Sequence, residues 1–411
     1  MKKFVFFTMN DFQKEGGGTI RMLGIMNELI NINPDITLIS NIQDVSKVDK
    51  RVKHIPLNTE FTRDDKRKFQ FYLGTFGYKK LNNSYRNFLN RLEEIFFNID
   101  NESEIIFFEY LDNSIGYWLK KNGVIYKYVN DINGFASNEF DFQAKKAKSL
   151  KSKLIFRIKE SISKRLDNKV FEESDGIIYA SQAMIDYYKN IYPSLKLKRN
   201  FHLPYVLNDQ NLKSSDPILV DKFKKELQIE NDDFVFLFAG AYKETGGIQD
   251  LIKAFDLTAE NYPQAKLILI GDGPTFTECE KLIQTQKHAS KIHLLGRQPY
   301  DYLTSYQEIS HVLVCPDRQN LFSDLIVHVK YLDALVSGKI VINGSFKSVM
   351  EINQDKQLSL LFKPSDVKDL AAKMIQSIEE YDELSEEFKD SRAYALDHLN
   401  YKNYISNLLE S

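Results

Sequence analysis

The sequence predicts an α/β protein of two domains, on three observations. Its 411 residues exceed what one core ordinarily organises. Two series of short apolar runs alternate with helix-like stretches, the pattern of strands in parallel sheets. Between the series lies FHLPYVLNDQNLKSSDP, residues 201–217, whose Pro, Asn and Ser content reads as a linker. The expected domains are 1–207 and 208–390, followed by a helical tail over 391–411.

In chain order, the first series is KFVFFTM (3–9), ITLIS (36–40), EIIFFEY (104–110), VIYKYV (124–129) and GIIYAS (176–181). The second is FVFLFAG (234–240), KLILIG (266–271), KIHLLG (291–296), HVLVCP (311–316) and KIVING (339–344). IQDLIKAFDLTAENYP and PTFTECEKLIQTQKH carry apolar residues at helical spacing between strands of the second series. Several of those strands end in Gly or Pro, and loops after strand carboxyl ends form the ligand crevice of a doubly wound sheet. HVKYLDALVSGKIVI (328–342) is a helix-to-strand corner turned at Gly338. Its helix is apolar except for Lys330 and Asp333, three apart and so on one face.

Composition narrows the function. No apolar run reaches the roughly 18 residues that a membrane span requires, and the amino-terminal run is broken by Asp11, so a cytoplasmic protein is expected. Cys279 and Cys315 form no metal or disulfide pattern, and the seven histidines have no ligand spacing. The net charge of −2 hides two basic stretches. Residues 62–91 hold eight Lys/Arg against two Asp, and 145–169 hold ten against Glu160 and Asp167. Both carry aromatic and aliphatic residues, which points to an anionic membrane surface; a nucleic-acid partner is not expected, since no binding module accompanies them. The alternative is a solvated helix face with its apolar side turned into the core.

Two further segments are candidates. QKEGGGTIRMLG places Gly16, Gly17 and Gly18 between a strand and a helix, where backbone can approach an anion. The glycines lack dinucleotide-fingerprint spacing. YVNDINGF sets Asn130 and Asp131 at a predicted strand end, either as functional groups or as turn chemistry. Ser181 reads as a helix cap.

Taken in order, FLFAGAYKETGGIQDLIKAF, LILIGDGP, IHLLGRQPYDYLTSYQEISHVLVCP and KYLDALVSGKIVI resemble the carboxyl-terminal domain of nucleotide-sugar glycosyltransferases of GT-B architecture, in particular retaining family 4. The resemblance covers residues 234–345 and is looser before them. It implies two Rossmann-like domains facing across a cleft, with a carboxyl-terminal helix that crosses back to the amino-terminal domain. Asp333 matches the acidic residue that holds the donor ribose hydroxyls. Lys330 matches a lysine of the branch reading Pro-x-Lys-x-x-Glu-Tyr and would meet the diphosphate. Gly17, Gly18, Gly240, Lys243, Arg297 and Ser323 are further expected donor contacts, Arg297 where the nucleobase pocket forms. Asn130 and Asp131 stand where a His-Asp pair reaches the donor sugar and are the expected catalytic pair.

The implied activity is transfer of a sugar from a UDP-sugar to a saccharide or lipid-linked saccharide in bacterial surface polysaccharide synthesis, with retention and without metal or cofactor. The chain departs from the pattern at Leu325, where a glutamate is usual, at Ile340, and at Ala241 and Gly246, which replace an Arg and a Lys. Those departures keep open a second reading, a degraded GT-B-like binding or chaperone subunit of a glycosylation complex, and a weaker third, a sugar-nucleotide epimerase.

Overall fold

The computed structural model describes every residue except 1, 10–16, 43, 76, 133–135, 148, 208–211, 213, 355, 410 and 411. The chain forms two compact units, Met1–Pro204 with Tyr401–Ser411, and Tyr205–Asn400.

The first unit is built on a parallel sheet of seven strands: β1 (Phe4–Thr8), β2 (Ile36–Ser40), β3 (Lys53–Pro56), β4 (Glu104–Phe108), β5 (Val129–Ile132), β6 (Gly176–Tyr179) and β7 (Arg199–His202). Their spatial order is β3-β2-β1-β4-β5-β6-β7. β1 and β4 are buried throughout, as central strands covered on both faces must be, which is why FVFFT and EIIFF are nearly continuous apolar runs. Phe7 and Phe107 meet at a centroid distance of 5.1 Å on one face, and Phe6 and Phe108 at 5.5 Å on the other. Ser181 caps helix Gln182–Ile191, its side chain accepting from Met184 N.

The second unit repeats the plan with β8 (Phe234–Ala239), β9 (Ala265–Ile270), β10 (Ile292–Gly296), β11 (Val312–Cys315), β12 (Ile340–Gly344) and β13 (Leu360–Phe362), in the order β10-β9-β8-β11-β12-β13. In each sheet the order reverses beside its first strand, between β1 and β4 and between β8 and β11. Those are the places where open parallel sheets bind ligands.

Three expectations change. The strand placed at 124–129 is β5, four residues long and shifted to 129–132, so Asn130 and Asp131 lie inside it. β3, β7 and β13 had no counterpart in the sequence reading; all three are sheet edges. The tail is broken rather than one helix. Ser391–His398 belongs to the second unit and ends where Leu207 N donates to the Leu399 carbonyl (2.7 Å). Residues from Tyr401 onward rejoin the first unit: Tyr401 fills the space a side chain on Gly24 would need, and Asn407 Nδ2 donates to the His202 carbonyl (3.0 Å).

Helix Leu150–Glu173 buries Asp167, whose Oδ2 accepts from the Ser137 hydroxyl (2.8 Å). Burial pushes its carboxyl up to about 7, against the weaker opposing effects of Ser137 and Lys164. Below about pH 4 both folded and unfolded chains hold this proton. Between about 4 and 7 only the unfolded chain releases it, so stability falls as pH rises through that window. Asp167→Asn, which keeps an acceptor for Ser137, is expected to flatten that part of the profile and to raise stability above pH 7. Urea midpoints of both proteins at pH 5 and pH 8 check this, and an unchanged slope would contradict it.

Candidate functional site

At the carboxyl edge of the second sheet, three loops close on one another through backbone contacts that require glycine. Gly247 has φ +70° and packs on the Pro316 carbonyl, tying the loop after β8 to the loop after β11. Gly271 has φ +131° and packs on the Gly240 carbonyl, tying in the loop after β9. This is the physical content of the Gly-rich strand ends in FLFAG and LILIGDGP.

Helix Val329–Val336 crosses behind this edge. Its Lys330 and Asp333 line one small pocket of about 20 Å³ together with Leu237 and Ala239 of β8, Leu313 to Cys315 of β11, and Gln307. The structure thus brings together the two charges that the sequence places on one face. Asp333 is nearly buried, and its Oδ1 accepts from the Tyr300 hydroxyl (2.7 Å). Gln307 Nε2 donates to the Asp333 carbonyl (3.1 Å), which fixes the helix at that turn. The Lys330 ammonium pairs with Asp317 (2.7 Å) just beyond β11 and stands 5.5 Å from the centre of the Phe238 ring. His328 Nδ1 approaches the same carboxylate (3.1 Å). Burial acts to raise the Asp317 carboxyl, but His328 and Lys330 outweigh it and hold it well below the usual carboxylate range. Gly240 lies beside Lys330 without lining the pocket: a side chain there would touch Phe238 and the Lys330 stem.

Asp317, Tyr300 and Arg318 were missed in the sequence. Arg318 donates through Nε and Nη2 to both oxygens of Asp250 (2.6 and 2.7 Å) and through Nη1 to the Glu244 carbonyl (3.2 Å). It is the cation that fastens the loop replacing the expected Arg and Lys, and Asp250 holds its guanidinium protonated. The signal available was Pro-Asp-Arg directly after a buried strand, where charged residues meet the crevice.

The other expected donor contacts do not join this pocket's lining. Lys243 is exposed on the loop after β8 and Arg297 is exposed after β10. Ser323 is buried in the short helix Leu321–Leu325, where its hydroxyl takes the Asn320 amide (2.8 Å) as part of that helix's cap. Leu325 is buried.

In the first unit Gly17 and Gly18 open helix Gly17–Ile32, while Gly16 lies outside the described residues. Asn130 and Asp131 are fully buried in β5 rather than presented at a strand end. Asp131 accepts from Arg21 Nε (3.1 Å) and Nη2 (2.8 Å), and Arg21 Nη1 donates to the Pro204 carbonyl (3.0 Å). Both side chains of this pair are completely shielded. The Asp131 carboxylate thus stands as a counter-charge to an interior arginine.

Residues 220–393 match the family model of glycosyl transferases group 1. An uncharacterized glycosyltransferase of Methanocaldococcus jannaschii is 29% identical over 177 residues, 42% of this chain and 47% of that protein. Alpha-monoglucosyldiacylglycerol synthase of Acholeplasma laidlawii is 28% identical over 169 residues, 40% of this chain and 42% of that one. The matches thus span somewhat less than half the length of these curated relatives. Among solved structures, Anabaena HepE in complex with UDP-glucose superposes with a TM-score of 0.72 at 14% identity, covering 100% of both chains, a likeness of fold. Most of the second unit, residues 220–393, is thus similar to the glycosyl transferases group 1 domain, in a chain with the two Rossmann-like sheets of the GT-B fold.

Proposed function

We propose that the protein is a glycosyltransferase that takes a sugar from a UDP-sugar and delivers it to a saccharide or lipid-linked saccharide acceptor, with retention of configuration, in the synthesis of a bacterial surface polysaccharide. The observation that carries this reading is the convergence of Lys330 and Asp333 on one pocket at the reversal point of the second sheet. A carboxylate accepts from the vicinal hydroxyls of a ribose, and an ammonium beside it offsets diphosphate charge. The UDP-glucose bound by the structurally similar HepE supports the choice of nucleotide. In this scheme no metal or other cofactor is needed. Basic groups and backbone N–H groups stabilise the leaving diphosphate, and a donor phosphate oxygen takes the acceptor proton.

The competing reading is a binding or chaperone subunit without turnover. One observation favours it: buried Leu325 stands where a carboxylate is usual. Release of UDP from a UDP-sugar in the presence of acceptor distinguishes the two, since a binding subunit would retain nucleotide affinity and release nothing.

Because Asp317 already shares the Lys330 ammonium, the contribution of that charge to diphosphate binding is expected to be modest. Lys330→Gln, which still offers Asp317 a donor, should weaken UDP by about 1 kcal/mol and leave uridine nearly unaffected. Equal losses for both ligands in calorimetry would move Lys330 away from the diphosphate.

A further inference from the structure

The two basic stretches behave differently. In 62–91 most apolar side chains turn inward, with Phe69, Leu73, Leu81, Phe88 and Leu89 buried and Phe71 left half-exposed, so the cations there border a largely solvated outer face. In 145–169 the arrangement is reversed. Helix Leu150–Glu173 buries Glu160, Ser163, Leu166, Asp167, Val170 and Phe171, none of them before Glu160. Its first half leaves Leu150, Leu154, Ile155 and Ile158 exposed by 87, 62, 42 and 52%. Leu150, Leu154 and Ile158 follow at intervals of about one turn and form a single stripe.

Charge reinforces the pattern. The nearby acids Asp141 and Glu160 are already paired with Lys145, Arg157 and Lys164. Lys159 stands near the rings of Phe140 and Phe156, at 5.7 and 5.6 Å from their centres. Lys151 and Lys153 have no acidic partner among the described residues. Exposed aliphatic side chains set among uncompensated lysines are the two ingredients of an interfacial helix.

We propose that the helices Ala136–Lys146 and Leu150–Glu173 dock the protein on an anionic phospholipid surface, with the Leu150–Ile158 stripe entering the headgroup boundary while lysines meet lipid phosphates. A protein partner fits less well. Four aliphatic side chains along roughly 12 Å of helix offer much less than the ~800 Å² per side of a stable protein interface. Lipid needs only shallow insertion and charge. Among the described residues no helix is long and apolar enough to cross a membrane, so the contact is one of lying on the surface.

The test uses the full chain and vesicles of phosphatidylcholine with or without phosphatidylglycerol. The protein should sediment with the anionic vesicles at low salt, largely release near 1 M salt, where the screening length is about 3 Å, and ignore the neutral ones. Replacing Lys151, Lys153 and Lys159 with Gln should lower affinity on the order of fivefold per lysine. Leu150→Ser, Leu154→Ser and Ile158→Ser together should also weaken binding although no charge changes. All six positions are exposed, so melting temperatures should stay put. The chain's one tryptophan, Trp118, is buried, so Leu154→Trp adds a reporter whose emission should shift to the blue on anionic vesicles. Equal binding to neutral vesicles, indifference to both triple variants, or an added indole that stays in water would overturn the proposal and favour a protein partner. Nucleotide affinity should be the same in all variants, so this outcome is separable from that of the donor-binding reading.

Discussion

Arg21→Met is expected to destabilise the first unit by about 3–5 kcal/mol, among the largest effects for any single substitution in the chain. The reason is desolvation. Arg21 and Asp131 have no solvent-exposed side-chain surface, and their opposite charges lie 2.8 Å apart. Removing one partner leaves the second buried without the charge it faces, and the stated cost is typical of breaking a buried pair in this way. It is a large part of the 5–15 kcal/mol by which domains are usually stable. Asp131→Asn should fall in the same range, because the guanidinium then keeps its charge and loses its counter-charge. The double change Arg21→Met with Asp131→Leu should recover much of the loss, since neither member of the pair is left as a buried ion, although the Pro204 carbonyl still loses its donor. Urea unfolding followed for the first unit measures all three. A catalytic Asp131 predicts the opposite pattern: Asp131→Asn would abolish transfer with stability nearly unchanged.

The same pair shows where sequence reading stops. β1, β4, β8 and β11 were legible because they are central and nearly free of polar residues. β5 was misplaced by a few residues because its core is Asn130-Asp131, polar residues that look like a turn. What allows Asp131 into a strand is Arg21, 110 positions earlier, and no local pattern reveals that pairing. β3 and β7 lie at sheet edges and are half-exposed, so neither has an apolar run to betray it. β13, also at an edge, is apolar but only three residues long. The site divides along the same line. Lys330 and Asp333 were readable, since two charges on one face of an otherwise apolar helix require a reason. Asp317, Tyr300 and Arg318 acquire theirs only when loops from β10 and β11 meet helices that begin elsewhere, so their spacing carries little information. The basic stretches were readable as charge, but only burial shows that one turns its apolar side inward and the other outward.

Asp333→Asn is expected to weaken UDP binding by about 1.5–3 kcal/mol, roughly ten- to a hundredfold, while leaving the unliganded fold as stable as before. The substitution preserves volume and can preserve the bond from Tyr300, because an amide oxygen accepts from a hydroxyl as a carboxylate does. It changes the other half of the group from an acceptor into a donor. Ribose hydroxyls donate to a carboxylate, so the amide meets them with the wrong polarity in a pocket that shields the group from water. Uridine should lose as much as UDP, in contrast to Lys330→Gln, because the contact is to the sugar of the nucleoside. Titration with 2′-deoxy-UDP sharpens the assignment. The unaltered protein should prefer UDP to its deoxy counterpart, and Asp333→Asn should erase that preference, since the hydroxyl and the carboxylate are two sides of one interaction. Retention of the preference by the variant would show that another residue holds the diol, and Asp333 would then be left as the acceptor that fixes Tyr300 against the helix Val329–Val336.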